Sequence, residues 1–210
     1  MEHFDRGIFI KLLPACRVES FLDGKIYFNT DKYFAELDES DAVRFDPDEN
    51  IDESLQVKQI SIQSRETGEY VPIGGVISPI KFRYEKRPPL NIFCVFVFLE
   101  NDKYQFDERN LKFGDFAIVI RDPIEFTKRI HSASNNLGLI VDQRPVMYVP
   151  KSIHHGEIGP FRKYDDYEYQ REFRYLLQPG RGEAVTLQIS DIRDICFTMP
   201  SSEITKLRPK

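Results

Sequence analysis

An α+β fold, β-rich with mixed or antiparallel sheets and a few short helices, is predicted by three observations. From Leu55 to Arg121 the apolar residues recur with a period near two, in runs such as VISPIKFRY, NIFCVFVFL and FAIVI separated by turn residues. A helical pattern with a capping residue and a first-turn proline stands out over about 122–135. Strands and helices alternate in no βαβ rhythm, which disfavours a doubly wound parallel sheet.

The elements follow in order. Gly7–Leu13 reads as a strand stopped by Pro14, and Arg17–Leu22 as a single helical turn before the Asp23–Gly24 turn. Lys25–Asn29 is a second strand. Thr30 is a good N-cap for a short helix from Asp31 to about Leu37. Thr67–Gly68 makes a hairpin-like turn. NIFCVFVFL is apolar on both faces and reads as a central strand buried on each side, although such a run alone leaves a buried helix open. In the clearest helix Asp122 caps, Pro123 suits the first position, and Ile124, Thr127, Ile130 and Ala133 fall on one face. LIVDQ and PVMYV follow as strands, then Tyr169–Leu177 as another. The tail VTLQISDIRDICFTM reads as strand, turn and strand, before a helix capped by Ser201 or Ser202.

Length and composition bound the function. The 210 residues carry no Gly/Pro/Ser-rich divider, so residues 1–210 read as a single domain. With 17 Phe and 10 Tyr there is apolar material for a real core. A net charge of −5 argues against a mainly electrostatic grip on nucleic acid or anionic lipid. No run approaches the ~20 apolar residues of a membrane span, and no secretory leader is recognisable, so no membrane partner is expected. Cys16, Cys94 and Cys196 are far apart without CxxC spacing. A cytoplasmic protein with neither a disulfide framework nor a zinc site is the expectation.

Nine acids against the single base Arg44 mark Glu36–Glu53 as a solvated loop, spanning about 36–54 with its flank. Asp46, Asp48, Asn50 and Asp52 have the alternate spacing of a calcium loop. Ile51 stands where that turn needs Gly, however, and Val57 where a bidentate Glu would close the shell, so a plain acidic loop is favoured. The adjacent His154 and His155 point to opposite faces if extended, a poor chelating pair, so no metal is expected. Cys16 beside Arg17 is read as a small buried residue rather than a nucleophile. IKFRYEKR, residues 80–87, is the best basic stripe, suited to single-stranded nucleic acid or equally to a strand with a charged exposed face. P-loop, Rossmann and nucleophile-elbow motifs are missing from the sequence.

Two stretches place polar side chains at strand ends, where a sheet can hold them toward a cleft. They are Cys16–Arg17 with the following IYFNT, and YQREFRYLLQPG. In the second, strand alternation puts Gln170 and Glu172 on one face and Phe173, Tyr175 and Leu177 on the other. A fixed carboxylate beside an amide suits positive charge developing at an anomeric carbon.

The path from PACRVESFLDGKIYFNTDKYF, through FRKYDDYEYQREFRYLL, to ISDIRDICFTMPSSEI resembles a large, mostly uncharacterised bacterial family often associated with abortive phage infection. The layout is also similar to the ADP-ribosyltransferase fold, with its early Arg, aromatic strand and late Gln-x-Glu lining an NAD cleft. The resemblance implies an ADP-ribosyltransferase-like core with NAD as substrate and a protein or nucleic acid as acceptor. It further implies that Arg17 contacts NAD, that Tyr27, Asn29, Thr30 and Tyr33 support the nicotinamide, that Glu172 stabilises the oxocarbenium ion and that Gln170 orients the acceptor. The alternative expectation is a non-catalytic module binding a phage or host protein, or single-stranded nucleic acid, through a sheet edge or the IKFRYEKR stripe.

Overall fold

The computed structural model describes residues 7–35, 46–49, 51–75, 77–84, 88–99 and 106–206. The first four elements follow the expected order: β1 (Gly7–Leu13), α1 (Ala15–Leu22), β2 (Lys25–Thr30) and α2 (Asp31–Ala35). Gly24 turns the chain between α1 and β2 with φ +82°, and a Cβ there would fall 1.8 Å from the Ser190 carbonyl oxygen. Only glycine fits that approach. The expected end of α2 at Leu37 lies outside the described residues.

Three short strands and a hairpin lead into the sheet. β3 (Glu53–Leu55) pairs with β6 (Ile80–Phe82), while β4 (Ile60–Gln63) and β5 (Tyr70–Ile73) form the hairpin about Thr67–Gly68. β7 (Asn91–Leu99) is the NIFCVFVFL run, and it is indeed a central, two-faced strand. β8 (Phe116–Ile120) and α3 (Pro123–Asn135) follow. β9 (Ile140–Pro145), β10 (Met147–Val149), β11 (Gly156–Glu157) and β12 (Arg162–Tyr164) lead to β13 (Glu172–Gln178). β14 (Val185–Gln188), β15 (Cys196–Pro200) and a 3₁₀ helix, Ser201–Lys206, complete the described residues.

The eight-stranded sheet branches at β7. On one edge, Phe96–Leu99 pairs antiparallel with β1, and Asn91–Ile92 pairs with β2. Between these two ladders, Phe93–Val95 is left by both strands. β1 continues to β8 and β15, whereas β2 continues to β14. On the other edge β13 runs antiparallel along Asn91–Phe96 and is itself flanked by β9. The sheet therefore splits beside Cys94 into two wings that share β7.

One face of the sheet carries the main core. Phe9, Ile26, Phe28, Phe93, Val95, Phe173, Tyr175 and Leu177 project there against Val18, Phe21 and Leu22 of α1 and Phe126 and Ile130 of α3. Burial of this aromatic face is the principal stabilising term, at roughly 25 cal/mol per Å² of apolar surface. The opposite face holds two smaller clusters, one around Ile10, Leu12, Phe96 and Phe98 and one around Leu90, Ile92 and Leu176.

Three expectations need correction. α3 is capped as expected, Asp122 Oδ1 accepting from the Glu125 N–H at 2.9 Å. Its buried face, however, is Pro123, Phe126, Ile130 and Ser134, with Ile124 at 46% exposure. Phe126 decides the rotation, because its large ring packs with centroids about 6.3 Å from those of Phe21, Phe93 and Tyr175. The strand expected from Tyr169 begins only at Glu172, since Asp165–Gln170 is a 3₁₀ helix and Arg171 is left-handed at φ 39°. The acidic segment, over its described part, is not solvated: Asp46, Asp48 and Glu49 are buried.

Candidate functional site

The far face of β13 carries charge where the near face carries rings. Glu172 and Arg174 alternate with Phe173 and Tyr175, as the strand period requires. Gln170 reaches the same side by a different route, because the left-handed Arg171 reverses the chain between the 3₁₀ helix and the strand. Both side chains meet one ammonium. Lys163 Nζ, from β12, donates to Gln170 Oε1 at 3.0 Å and to Glu172 Oε1 at 2.7 Å.

Arg174 closes the other side of Glu172. Its Nη2 lies 2.8 Å from Glu172 Oε2, and its guanidinium also takes Glu49 in a fork, Nη1 to Oε1 at 2.8 Å and Nη2 to Oε2 at 3.1 Å. Nη1 further donates to the Pro160 carbonyl at 2.6 Å. The Glu172 backbone is pinned as well, its N–H donating to the Tyr148 hydroxyl at 2.9 Å. Asp46 lies 3.6 Å and Glu49 3.4 Å from Lys163 Nζ. Three carboxylates thus share two cations in a region where side-chain exposure is 2–11%. Such burial is tolerated only when every charge is paired.

Burial alone would raise the Glu172 carboxyl, but the nearby Lys163 and Arg174 outweigh it and hold the group ionised, well below the usual carboxylate range. Glu49 is lowered in the same way, burial being outweighed by Arg174 and Lys163. For Asp46 the balance reverses, and burial raises its carboxyl against the attraction of Lys163. Lys163 is disfavoured by burial yet held protonated by Glu172, Glu49 and Asp46.

A second, outer cluster adjoins the first. Asp48 pairs with Lys81 of β6 and, at 3.1 Å, with Lys151. Both ammonium groups face the Tyr164 ring, at 5.9 and 5.1 Å from its centroid. Lys81 and Lys151 retain 34% and 43% side-chain exposure, so the charged region runs from solvent inward to Arg174.

Gln170 and Glu172 border a cavity of about 90 Å³ at the split in the sheet, walled by Ile10, Leu12, Val95 and Phe96. Lys11 bridges the split, its Nζ donating to the Cys94 carbonyl at 2.6 Å and lying 4.6 Å from the Phe93 ring centroid. The Cys94 thiol lines this cavity but is pushed up to about 12 by burial, which keeps it protonated and unreactive.

The other residues singled out from sequence form two further groups. Arg17 is exposed on α1, its guanidinium 5.5 Å from the Tyr27 ring centroid. Tyr27 points away from the core face that takes Ile26 and Phe28, and so lies on the same side of the sheet as Glu172. Asn29 and Thr30 are engaged locally: Asn29 Oδ1 accepts from the Thr30 N–H at 2.9 Å, and Thr30 Oγ1 caps α2 through the Tyr33 N–H at 3.1 Å. Tyr33 packs edge-on against Phe34. Asn29 is opposite Ile92 and Glu172 opposite Phe96, on the two edges of β7. Four residues along and two strand spacings across separate their backbones by roughly 16 Å.

The remaining sequence candidates resolve differently. Cys16 is exposed, contrary to the expectation of a small buried residue, because the first turn of α1 projects beyond the core. His155 Nδ1 accepts from the Gln56 N–H and His154 Nε2 donates to the Glu157 carbonyl. Among the described residues no group of three His, Cys, Asp or Glu is placed to hold a metal ion, and Asn50 of the calcium-like spacing lies outside them. Of the basic stripe, Lys81 pairs with Asp48, and Arg83 donates to the Pro47 and Glu49 carbonyls at 2.6 and 3.2 Å. Residues 85–87 are outside the described part. No described helix is long and apolar enough to cross a membrane.

Sequence reasoning missed Lys163, Arg174 and Glu49, and read Asp46 only as part of an acidic loop. Arg174 was accessible, since it stands two residues after Glu172 on the same strand face. Lys163 and the acids meet it only through tertiary pairing. The chain matches no family model, no curated protein and no solved structure in the three comparisons made.

Proposed function

We propose that the protein is an ADP-ribosyltransferase-like enzyme that uses NAD as substrate and modifies a macromolecule, in a phage-defence or toxin setting. The observation that carries this reading is the convergence of Gln170 and Glu172 on Lys163 beside a cavity at a split in the sheet. Glu172 is ionised there, and with Asp46 and Glu49 it makes three carboxylates against the two cations Lys163 and Arg174. A carboxylate fixed in this ionised form favours a cationic transition state in a low-dielectric setting.

In this reading the bond from the anomeric carbon to the nicotinamide nitrogen breaks, and its electron pair leaves with nicotinamide. The acceptor atom forms the new bond to that carbon and gives its proton to solvent. Glu172 stabilises the intervening oxocarbenium charge, and Gln170 orients the acceptor. The cavity of about 90 Å³ is well below the ~300–1,000 Å³ of pockets that enclose drug-sized ligands, so it suits a ring and not a dinucleotide. The rest of NAD would extend outside it, toward Arg17 and Tyr27. A nucleic-acid role for IKFRYEKR is less supported, because Lys81 and Arg83 are turned to the 46–49 segment.

The test is release of nicotinamide from NAD by purified protein, followed chromatographically with and without a cell extract as acceptor source. Loss of release in Glu172→Gln, with the circular dichroism spectrum retained, is the expected result. Gln170→Ala should keep hydrolysis and lose transfer. Unaltered release in a folded Glu172→Gln protein, or none from wild type under either condition, overturns the assignment.

A further inference from the structure

Lys81, Lys151, Lys163 and Arg174 form a path of four cations from the surface to the buried end of the site, and three of the carboxylates facing them come from one four-residue segment. Asp48 meets Lys81 and Lys151, Asp46 meets Lys163, and Glu49 forks onto Arg174 and approaches Lys163. The segment is held as a compact turn by its own backbone, with the Asp48 N–H donating to Asp46 Oδ1 at 2.9 Å and the Glu49 N–H to the Asp46 carbonyl at 2.9 Å. Its acids are therefore presented together, as the oxygens of a polyanion are. The fork of Glu49 on Arg174 is the geometry by which a guanidinium also takes phosphate.

We infer that the Asp46–Glu49 segment is an internal carboxylate latch seated in an anion site, and that a diphosphate group displaces it. With the segment in place its three carboxylates and Glu172 pair with the four cations. With the segment withdrawn, Glu172 still faces Lys163 and Arg174 and Asp166 still acts on Lys151, which leaves an excess of positive charge along the path. Exchange of one paired anion for another avoids the penalty of a bare buried charge, whereas simple opening does not. The latch thus opens in the presence of a competing polyanion. Lys81 and Lys151 are where that anion arrives, and Asp48, whose two lysine partners are the most exposed cations of the path, is where displacement starts.

This goes beyond the transferase reading, since it concerns anion capture and is read without turnover. The experiment is calorimetric titration of inorganic pyrophosphate into wild type and Asp48→Asn. The variant removes one latch charge while leaving the half-exposed lysines solvated, so folding is retained. Asp48→Asn is expected to bind at least about tenfold more tightly than wild type, and Asp48→Asn combined with Lys151→Ala to lose that gain. In wild type, saturating pyrophosphate should shift the backbone amide resonances of Asp48 and Glu49. Equal affinity in wild type and Asp48→Asn, absence of binding to both at millimolar pyrophosphate, or unmoved Asp48 and Glu49 amides at saturation overturns the latch. Nicotinamide release that fails while pyrophosphate binding behaves as stated rejects the transferase reading alone.

Discussion

Lys163 Nζ lies 2.7 Å from Glu172 Oε1, and through this contact β12 and β13, which do not share a ladder, are joined at the buried end of the charged site. The ammonium has 8% side-chain exposure and also holds Gln170 and approaches Asp46 and Glu49. Lys163→Met keeps the bulk of the side chain and removes the charge. It leaves three carboxylates around Arg174 alone, so unfolding in urea should show a loss of about 3–5 kcal/mol. A loss under about 1 kcal/mol would mean that the cluster is solvated in solution.

Acid should destabilise the fold through Glu172 and Glu49. Both carboxyls are held below their ordinary value of 4.5, so the stability they contribute is present above 4.5 and is lost as pH falls below it. Asp46 is raised above 3.8 and acts in the opposite sense, its contribution being present below 3.8 and lost as pH rises through its shifted value. Two lowered groups outweigh one raised group, so the midpoint of thermal unfolding should fall as pH drops below 4.5. Glu172→Gln should start from a lower midpoint and show a shallower fall over the same range. An equal slope in the two proteins would remove Glu172 from the linkage.

The two faces of α3 should respond unequally. Phe126 is fully buried among three rings, and Phe126→Ala should cost about 3–5 kcal/mol by lost transfer energy and the cavity left behind. Ile124 is 46% exposed, and Ile124→Ala should change stability by no more than about 0.5 kcal/mol. Chemical denaturation of the two variants checks the rotation of the helix directly. Comparable losses would return α3 to the face predicted by simple apolar spacing.

The cap of the same helix gives a smaller, independent signal. Asp122 satisfies the Glu125 N–H and sits at the positive end of the helix, so Asp122→Ala should lower stability by about 1 kcal/mol. Asp122→Asn retains the acceptor and should recover most of that loss. Failure of Asn to restore stability would assign the effect to charge instead of the hydrogen bond.

The amino-acid sequence by itself determined the local elements. Short apolar runs bounded by turn residues placed β1, β7 and β8, Thr30 and Asp122 marked two helix starts, and the alternation of REFRYLL put Phe173, Tyr175 and Leu177 on the core side. These follow from periods of two and 3.6 and from hydrogen bonds between near neighbours, which a short stretch of chain already contains. The rotation of α3 did not follow, because a single large ring meeting Phe21, Phe93 and Tyr175 outweighs the evenness of a spacing pattern. Nor did the fate of Asp46, Asp48 and Glu49. Acids are solvated unless cations reach them, and the cations here arrive from β6, β12, β13 and the Lys151 turn, 33 to 125 residues away in the chain. Only tertiary structure brings those charges within hydrogen-bonding distance, and only that proximity offsets the cost of burying them.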